Sequence, residues 1–179
     1  MQTLETPRLI LRAWRESDVR DLYEYARDPQ VGPHAGWEPH VSPAYSLGVI
    51  RELADKGEVW AVQLKQPEKV IGSIGLQTDT RRSNDGARML GYTLSRAYWG
   101  QGLISEAVRE VLHFAFIEQG LDLVSVWHAD YNRRSQKVIE RAGFRYEGCL
   151  RRARQRPDGF WCGDMCYSMT RTEYLGRQE

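Results

Sequence analysis

Residues that bind metals or form cross-links are scarce in this chain. Its three cysteines, Cys149, Cys162 and Cys166, are odd in number and show no Cys-x-x-Cys spacing, which argues against a zinc site and a disulfide framework. The four histidines, His34, His40, His113 and His128, stand at no metal-ligand spacing from those cysteines, so no metal is expected. No apolar run approaches the ~20 residues that span a bilayer. The opening Met1-Gln2-Thr3-Leu4-Glu5 lacks the basic and apolar regions of a secretory leader. The expectation is a reduced, cytoplasmic protein with no membrane partner. Charge of one sign is missing too: 25 Lys and Arg against 24 Asp and Glu give a net charge of +1, with no global pull toward nucleic acid. Without repeats, low-complexity tracts or long linkers, residues 1–179 read as a single domain.

What is present is ordinary for a globular protein, with 41% hydrophobic and 27% charged residues. Leu9–Trp14 reads as a first strand. Ser17 stands where an N-cap belongs, and Val19, Leu22, Tyr23 and Ala26 follow at the spacing of one buried helical face. Pro29 ends that helix, and a loop with Gly32, Pro33, Gly36 and Pro39 leads to Ser42-Pro43, a cap and an N1 proline. Leu47, Ile50, Leu53 and Ala54 form the stripe of this second helix. Strands are predicted at Val59–Leu64, Val70–Gln77 and Arg88–Leu94, with a polar loop at Thr78–Gly86. Ile104, Val108, Val111, Leu112 and Ala115 mark the clearest helix, closed by Gly120. Leu123–Ala129 is a strand, Asn132–Ala142 a helix, and Phe144 to about Gln155 and Phe160 to about Met169 flank the turn Pro157-Asp158-Gly159. The order β-α-α-β-β-β-α-β-α-β-β predicts an α/β fold with seven strands, four helices, hairpins and crossovers.

The segment Arg96-Ala97-Tyr98-Trp99-Gly100-Gln101-Gly102 enters the clearest helix near Leu103. A glycine-rich turn at a helix start exposes backbone N–H groups at a positive dipole end, a recipe for holding phosphate. Ser105 adds a hydroxyl in the first turn. The alternative is a plain strand-to-helix bend. A dinucleotide fingerprint would need a third glycine where Ser105 stands, and a P-loop would need Gly-Lys-Ser/Thr.

Residues Gly91 to Ala107, Gly-Tyr-Thr-Leu-Ser-Arg-Ala-Tyr-Trp-Gly-Gln-Gly-Leu-Ile-Ser-Glu-Ala, resemble the central motif of the GNAT acetyltransferases. They look in particular like the branch containing the ribosomal-protein N-terminal acetyltransferases. Thr6-Pro7-Arg8-Leu9-Ile10-Leu11-Arg12 resembles the first strand of that branch. Asp130-Tyr131-Asn132-Arg133-Arg134-Ser135 with Glu140-Arg141-Ala142-Gly143-Phe144 resembles its Asn-x-x-Ser helix, and Asp158-Gly159, Asp164 and Tyr167-Ser168 its final hairpin. The resemblance implies a mixed, mostly antiparallel sheet splayed at its central strands around acetyl-CoA, and a cytoplasmic N-acetyltransferase that acetylates a primary amine. Ala97 departs from the family pattern, which has Gln or Arg there.

By the same resemblance, Thr93 and Leu94 grip the pantetheine arm, and Trp99, Gly100, Gln101, Gly102, Leu103, Ile104 and Ser105 hold the pyrophosphate through main-chain donors. Asn132 bonds the arm, Ser135 donates to the departing sulfur, and Lys137, with Arg141 one turn on, faces a phosphate. A thiol of pKa about 8.5 leaves readily, so a hydroxyl donor suffices in place of a strong acid. Ser135 also reads as an ordinary first-turn helix residue. For the base, His40 has the suitable reference pKa, about 6.5, or it is an exposed loop histidine. Glu38 is the other candidate. Trp37 and Tyr92 are candidate acceptor contacts, while Trp127 and Tyr131 have the same pocket-or-core ambiguity. A homodimer is compatible with open sheet edges.

Two other functions stay open: a CoA-binding regulatory module without turnover, and an RNA-associated protein that uses Arg151-Arg152-Ala153-Arg154-Gln155-Arg156. For that basic run, a solvated strand face is the expected reading.

Overall fold

The computed structural model describes residues 1–156 and 159–177. Among the described residues eight strands form one sheet: β1 (Leu4–Glu5), β2 (Leu9–Arg12), β3 (Val59–Leu64), β4 (Lys69–Thr78), β5 (Ala87–Leu94), β6 (Leu123–Ala129), β7 (Arg145–Gln155) and β8 (Trp161–Thr170), in the order β1-β2-β3-β4-β5-β6-β8-β7. Helices are α1 (Val19–Ala26), α2 (Gly32–Ala35), α3 (Pro43–Lys56), α4 (Leu103–His113), α5 (Arg133–Ala142) and α6 (Arg171–Leu175). The expected α/β class holds. The sheet gains β1, too short to show a period-2 pattern, and the expected loop and C-terminus supply the short α2 and α6. Pro157 and Asp158 of the expected turn lie outside the described residues; Gly159 closes the hairpin by donating to the Arg156 carbonyl at 2.9 Å.

Backbone contacts group the chain into two compact units. Met1–Gly75 and Tyr92–Glu110 form the first, and Leu76–Gly91 and Val111–Glu179 the second.

In the first unit, β1 to β4 pair antiparallel in chain order. A core of Trp14, Leu22, Tyr25, Ala26, Val31, Ile50, Ala61 and Val70 joins α1 and α3 to the strands. Burying each larger side chain contributes about 1.5–3 kcal/mol. Four local expectations change here. The strand β2 stops at Arg12, because Arg12 turns its guanidinium onto Asp18 (2.8 and 2.7 Å) and Gln63 (2.5 Å) in a buried cluster. Ser17 is not the cap: Asp18 accepts from the Arg15 amide at 2.8 Å and starts a 3-10 turn, Glu16–Asp18, ahead of α1. On α1 the buried aromatic is Tyr25 and not Tyr23, and on α3 fully buried Ser46 takes a place beside Ile50 while Ala54 is exposed.

In the second unit, β6 pairs antiparallel with β8, and β8 with the edge strand β7. β5 and β6 are parallel over three pairs, Ala87–Leu123, Arg88–Val124 and Met89–Ser125. Leu90 and Gly91 have no partner in that ladder although β6 runs on through Val126–Ala129. The helix expected to reach Gly120 as one piece leaves α geometry at Phe114–Glu118, where the Gln119 amide reaches the Phe114 carbonyl at 2.9 Å, a wider π turn. All three cysteines are free. No helix among the described residues is long and apolar enough to cross a membrane.

Candidate active site

After β5, a 3-10 turn over Arg96–Tyr98 leads through Trp99-Gly100-Gln101-Gly102 into α4. Gly100 and Gly102 have φ of 78° and 76°. That left-handed region costs an L side chain about 1–2 kcal/mol, which is why glycine stands at both positions. Nothing lies within 4 Å of where a Gly100 Cβ would be, so the turn presents bare backbone there. The first helical bond runs from the Glu106 amide to the Gly102 carbonyl, 3.1 Å. The amides of Leu103, Ile104 and Ser105 come before that bond, at the positive end of the helix. Leu103 and Ile104 bury their side chains and Ser105 is half-buried, so the first two offer a ligand only main-chain donors.

Trp99 anchors the turn. Its indole N–H donates to the Leu94 carbonyl at 2.8 Å and its ring packs on the first unit's core. Gln101 is exposed and bonds the Ala97 carbonyl at 3.2 Å. Arg96, next to the position where a basic side chain is missing, pairs with Asp28 at 2.8 Å.

The bracing of this turn comes from residues to which sequence reading gave no role. Glu106 accepts from the Thr6 hydroxyl at 2.5 Å, the Arg8 amide at 2.9 Å and the Arg8 guanidinium at 2.7 Å. Arg8 also donates to the Gln101 carbonyl at 3.0 Å. These bonds hold the Glu106 carboxyl below its usual range, although burial pushes the other way. The available signal was a carboxylate inside the buried face of α4, three residues after Leu103 and beside Ala107.

Thr93 is fixed by its neighbours. Its hydroxyl lies 2.8 Å from that of Ser73, and the buried Tyr25 hydroxyl bonds both. Burial raises the Tyr25 pKa, so the phenol stays neutral. A Cβ on Gly72 would collide with the Thr93 carbonyl oxygen, so glycine permits this close approach of strands.

His40 is buried, at 8% exposure, not an exposed loop residue. Its Nδ1 lies 2.8 Å from Ser46 Oγ, and its ring contacts Trp37 (5.2 Å between centroids) and Tyr45 (4.9 Å). Burial lowers its pKa, so the ring is neutral at neutral pH. Trp37 is half-buried against the same core as Trp99, Glu38 is exposed, and Tyr92 is half-buried on β5.

In the second unit, Asn132 is the N-cap of α5, accepting from the Ser135 amide at 3.2 Å. The Asn-x-x-Ser spacing is therefore a capping spacing that uses the Ser135 backbone amide. Lys137 and Arg141 are exposed one turn apart. A cavity of about 360 Å³ is lined by Arg81, Met89, Ser125, Trp127, Glu147 and Cys166 among others. The arginine run keeps Arg151, Arg152 and Arg156 exposed, as expected of a solvated strand face, and Arg154 half-buried. Arg154 binds buried Asp164 at 2.9 Å and lies 4.2 Å over the Trp127 ring, while Arg152 covers Trp161 and Arg156 covers Tyr131.

A turn of bare amides entering a helix, with the motif's aromatic and acidic residues both tied into it, matches a known domain. Residues 8–145 match the acetyltransferase (GNAT) domain model. The chain belongs to the GNAT acetyltransferase family. It is similar to the uncharacterized N-acetyltransferase p20 of Bacillus licheniformis, 28% identical over 98% of this chain and 100% of that protein. It is also 28% identical to the [ribosomal protein uS5]-alanine N-acetyltransferase of Escherichia coli, over 81% of this chain and 79% of the relative. The fold is shared with a GNAT acetyltransferase from Bacillus anthracis at a TM-score of 0.86 and 20% identity, covering 96% of this chain and 100% of the other. As a GNAT protein the chain is an acyltransferase, and use of acetyl-CoA is implied by the family.

Proposed function

We propose that this chain transfers the acetyl group of acetyl-CoA directly to a primary amine, with a protein N-terminal α-amine as the favoured acceptor and a small-molecule amine as the alternative. The observation that carries the cosubstrate is the Gly100–Gly102 turn, whose left-handed glycines and first-turn amides form a cradle of N–H donors suited to a pyrophosphate. The acyl donor supplies an activated thioester. Main-chain groups at Thr93 and Leu94 align it, with an amide there serving as oxyanion donor. Asn132 bonds the pantetheine arm, Lys137 faces a phosphate, and the Ser135 hydroxyl donates a hydrogen bond that stabilises the departing thiolate, which then takes up the proton that the acetylated amine gives up.

The acceptor reading rests on the scarcity of strong bases. Glu38 is exposed, and His40 is a weak base held neutral by burial. An α-amine of pKa 7.7–8.0 is already roughly a tenth to a sixth neutral at pH 7, whereas a lysine amine is neutral in under ~0.1%. The name of the E. coli relative, which acts on an alanine of ribosomal protein uS5, points the same way. Trp37 and Tyr92 would line the acceptor's approach. The test is mass spectrometry of acetyl-CoA incubated with peptides bearing free N-termini, lysine-only peptides and small amines. Acetylation of free N-termini ahead of lysines is expected. Acetyl-CoA binding with no product on any amine would leave a binding module in place of the enzyme.

A further inference from the structure

The GNAT pattern places a basic or amide side chain where this chain has Ala97, and Arg96 beside it is committed to Asp28 at 2.8 Å. Yet a guanidinium does reach the turn, from a residue far away in sequence. Arg8 Nη1 donates to the Gln101 carbonyl at 3.0 Å, and its Nη2 would stand 3.7 Å from a Cβ on Gly102. The same guanidinium is held in place by Glu106, at 2.7 Å from both Nε and Nη2. The Thr6 hydroxyl and the Arg8 amide in turn fix the Glu106 carboxylate.

In a trans peptide the C=O and the following N–H point in opposite directions. A donor pinning the Gln101 carbonyl from one side therefore aims the Gly102 N–H at the other. A cation at the oxygen end also polarises that amide, making its N–H a better donor to an anion. Because the Glu106 carboxylate balances the Arg8 charge, the effect works through orientation more than through net field.

We propose that Arg8 is a positioning residue for the phosphates of the acyl donor: it fixes and polarises the Gln101–Gly102 peptide from behind and so substitutes for the side chain missing at Ala97. This rests on the acetyl-CoA reading above. It also gives the match at Thr6-Pro7-Arg8 a role in the site beyond forming a strand.

Calorimetry with two donors separates this role from a structural one: acetyl-CoA, and S-acetylpantetheine, which carries the thioester arm without phosphates. In Arg8→Gln the acetyl-CoA dissociation constant should rise roughly three- to tenfold, the size of one lost ordinary hydrogen bond, while S-acetylpantetheine binding stays within twofold. Arg8→Lys should fall between, since a point charge cannot span Glu106 and Gln101 as a planar fork does. Thr170→Val is the structural control, because it removes the hydroxyl that caps α6 and leaves Arg8, Glu106 and the turn untouched, and it should leave acetyl-CoA affinity within twofold at a comparable melting temperature loss. Equal weakening toward both donors, no weakening in Arg8→Gln, or the same loss in Thr170→Val would overturn the proposal. A wild-type protein that binds neither donor would remove the acetyl-CoA reading itself, and one that binds both equally would remove only the phosphate role.

Discussion

In the first unit the carboxylate of Glu106 gathers Thr6, the Arg8 amide and the Arg8 guanidinium at the start of α4. In the second, the carboxylate of Asp164, 1% exposed on β8, gathers Arg81 at 2.7 Å and Arg154 at 2.9 Å. Both are carboxylates with arginine partners, but they do different things. The Glu106 cluster leaves backbone donors pointing outward beside it. The Asp164 cluster ends on the Trp127 ring, over which both of its arginines lie, at 5.6 and 4.2 Å. A basic run in the sequence is therefore not one uniform set of charges: in Arg151–Arg156, Arg154 is half-buried on Asp164, while Arg151, Arg152 and Arg156 stay exposed, the last two over aromatic rings. The site that looks weakly charged is the one with donors to offer.

The largest expected effect comes from breaking the consumed cluster. Asp164→Ala leaves two guanidiniums without their carboxylate, and breaking a buried pair costs about 3–5 kcal/mol. The low end, about 3 kcal/mol, is expected because both arginine side chains are partly solvent-exposed, at 40% and 26%. Urea unfolding measures it, and a loss under about 1 kcal/mol would mean the cluster is held by the aromatic contacts alone.

Gly102→Val attacks the other region. A β-branched residue at φ 76° is strained by about 1–2 kcal/mol or more, and the donors around it shift. Acetyl-CoA affinity should fall at least roughly tenfold, equivalent to about 1.4 kcal/mol. Affinity equal to wild type would show that the turn is only a bend.

Ser135→Ala sharpens the contrast between main-chain and side-chain chemistry. The α5 cap accepts from the Ser135 amide, which the variant retains. Turnover should drop roughly tenfold, in line with losing a hydrogen bond worth about 1–2 kcal/mol in the transition state, while acetyl-CoA affinity changes little. Unchanged turnover would remove the hydroxyl from the chemistry.

The smallest effect is a pH dependence. Glu173, accepting from the Thr170 amide and from Arg145, has its pKa lowered to about 2. A depressed carboxylate adds stability above its unfolded pKa of about 4.3 and loses it as pH falls through about 2. Melting temperature between pH 5 and 2 should therefore fall less in Glu173→Gln than in wild type; parallel curves would exclude this capping box as a source of acid sensitivity.

Much of the fold was legible in the sequence. The periodic stripes of α1 and α4, the Ser42-Pro43 start of α3 and the Val-rich β6 carry their own signals, because each depends on neighbours within a turn or two. The pieces that were missed depend on partners far along the chain. Asp18 displaces Ser17 as a cap because Arg12, already in the sheet, holds it; Ser46 is buried because His40 needs a partner; and β1 exists only as an addition to β2. Of the site, the glycines, Trp99 and the Asn132–Ser135 spacing were readable as a local pattern. The brace from Thr6 and Arg8 was not, since 93 residues separate Arg8 from the Gln101 carbonyl it binds.

The sequence by itself determined the family and the phosphate-suited turn, since left-handed glycines at a helix start are a requirement of local backbone geometry. Only the tertiary structure decided which charges remain available. An arginine's role depends on which acceptors fall within about 3 Å of it, and the fold alone sets those distances: it pairs Arg154 with Asp164 and Arg96 with Asp28, and stations Arg8 at the turn.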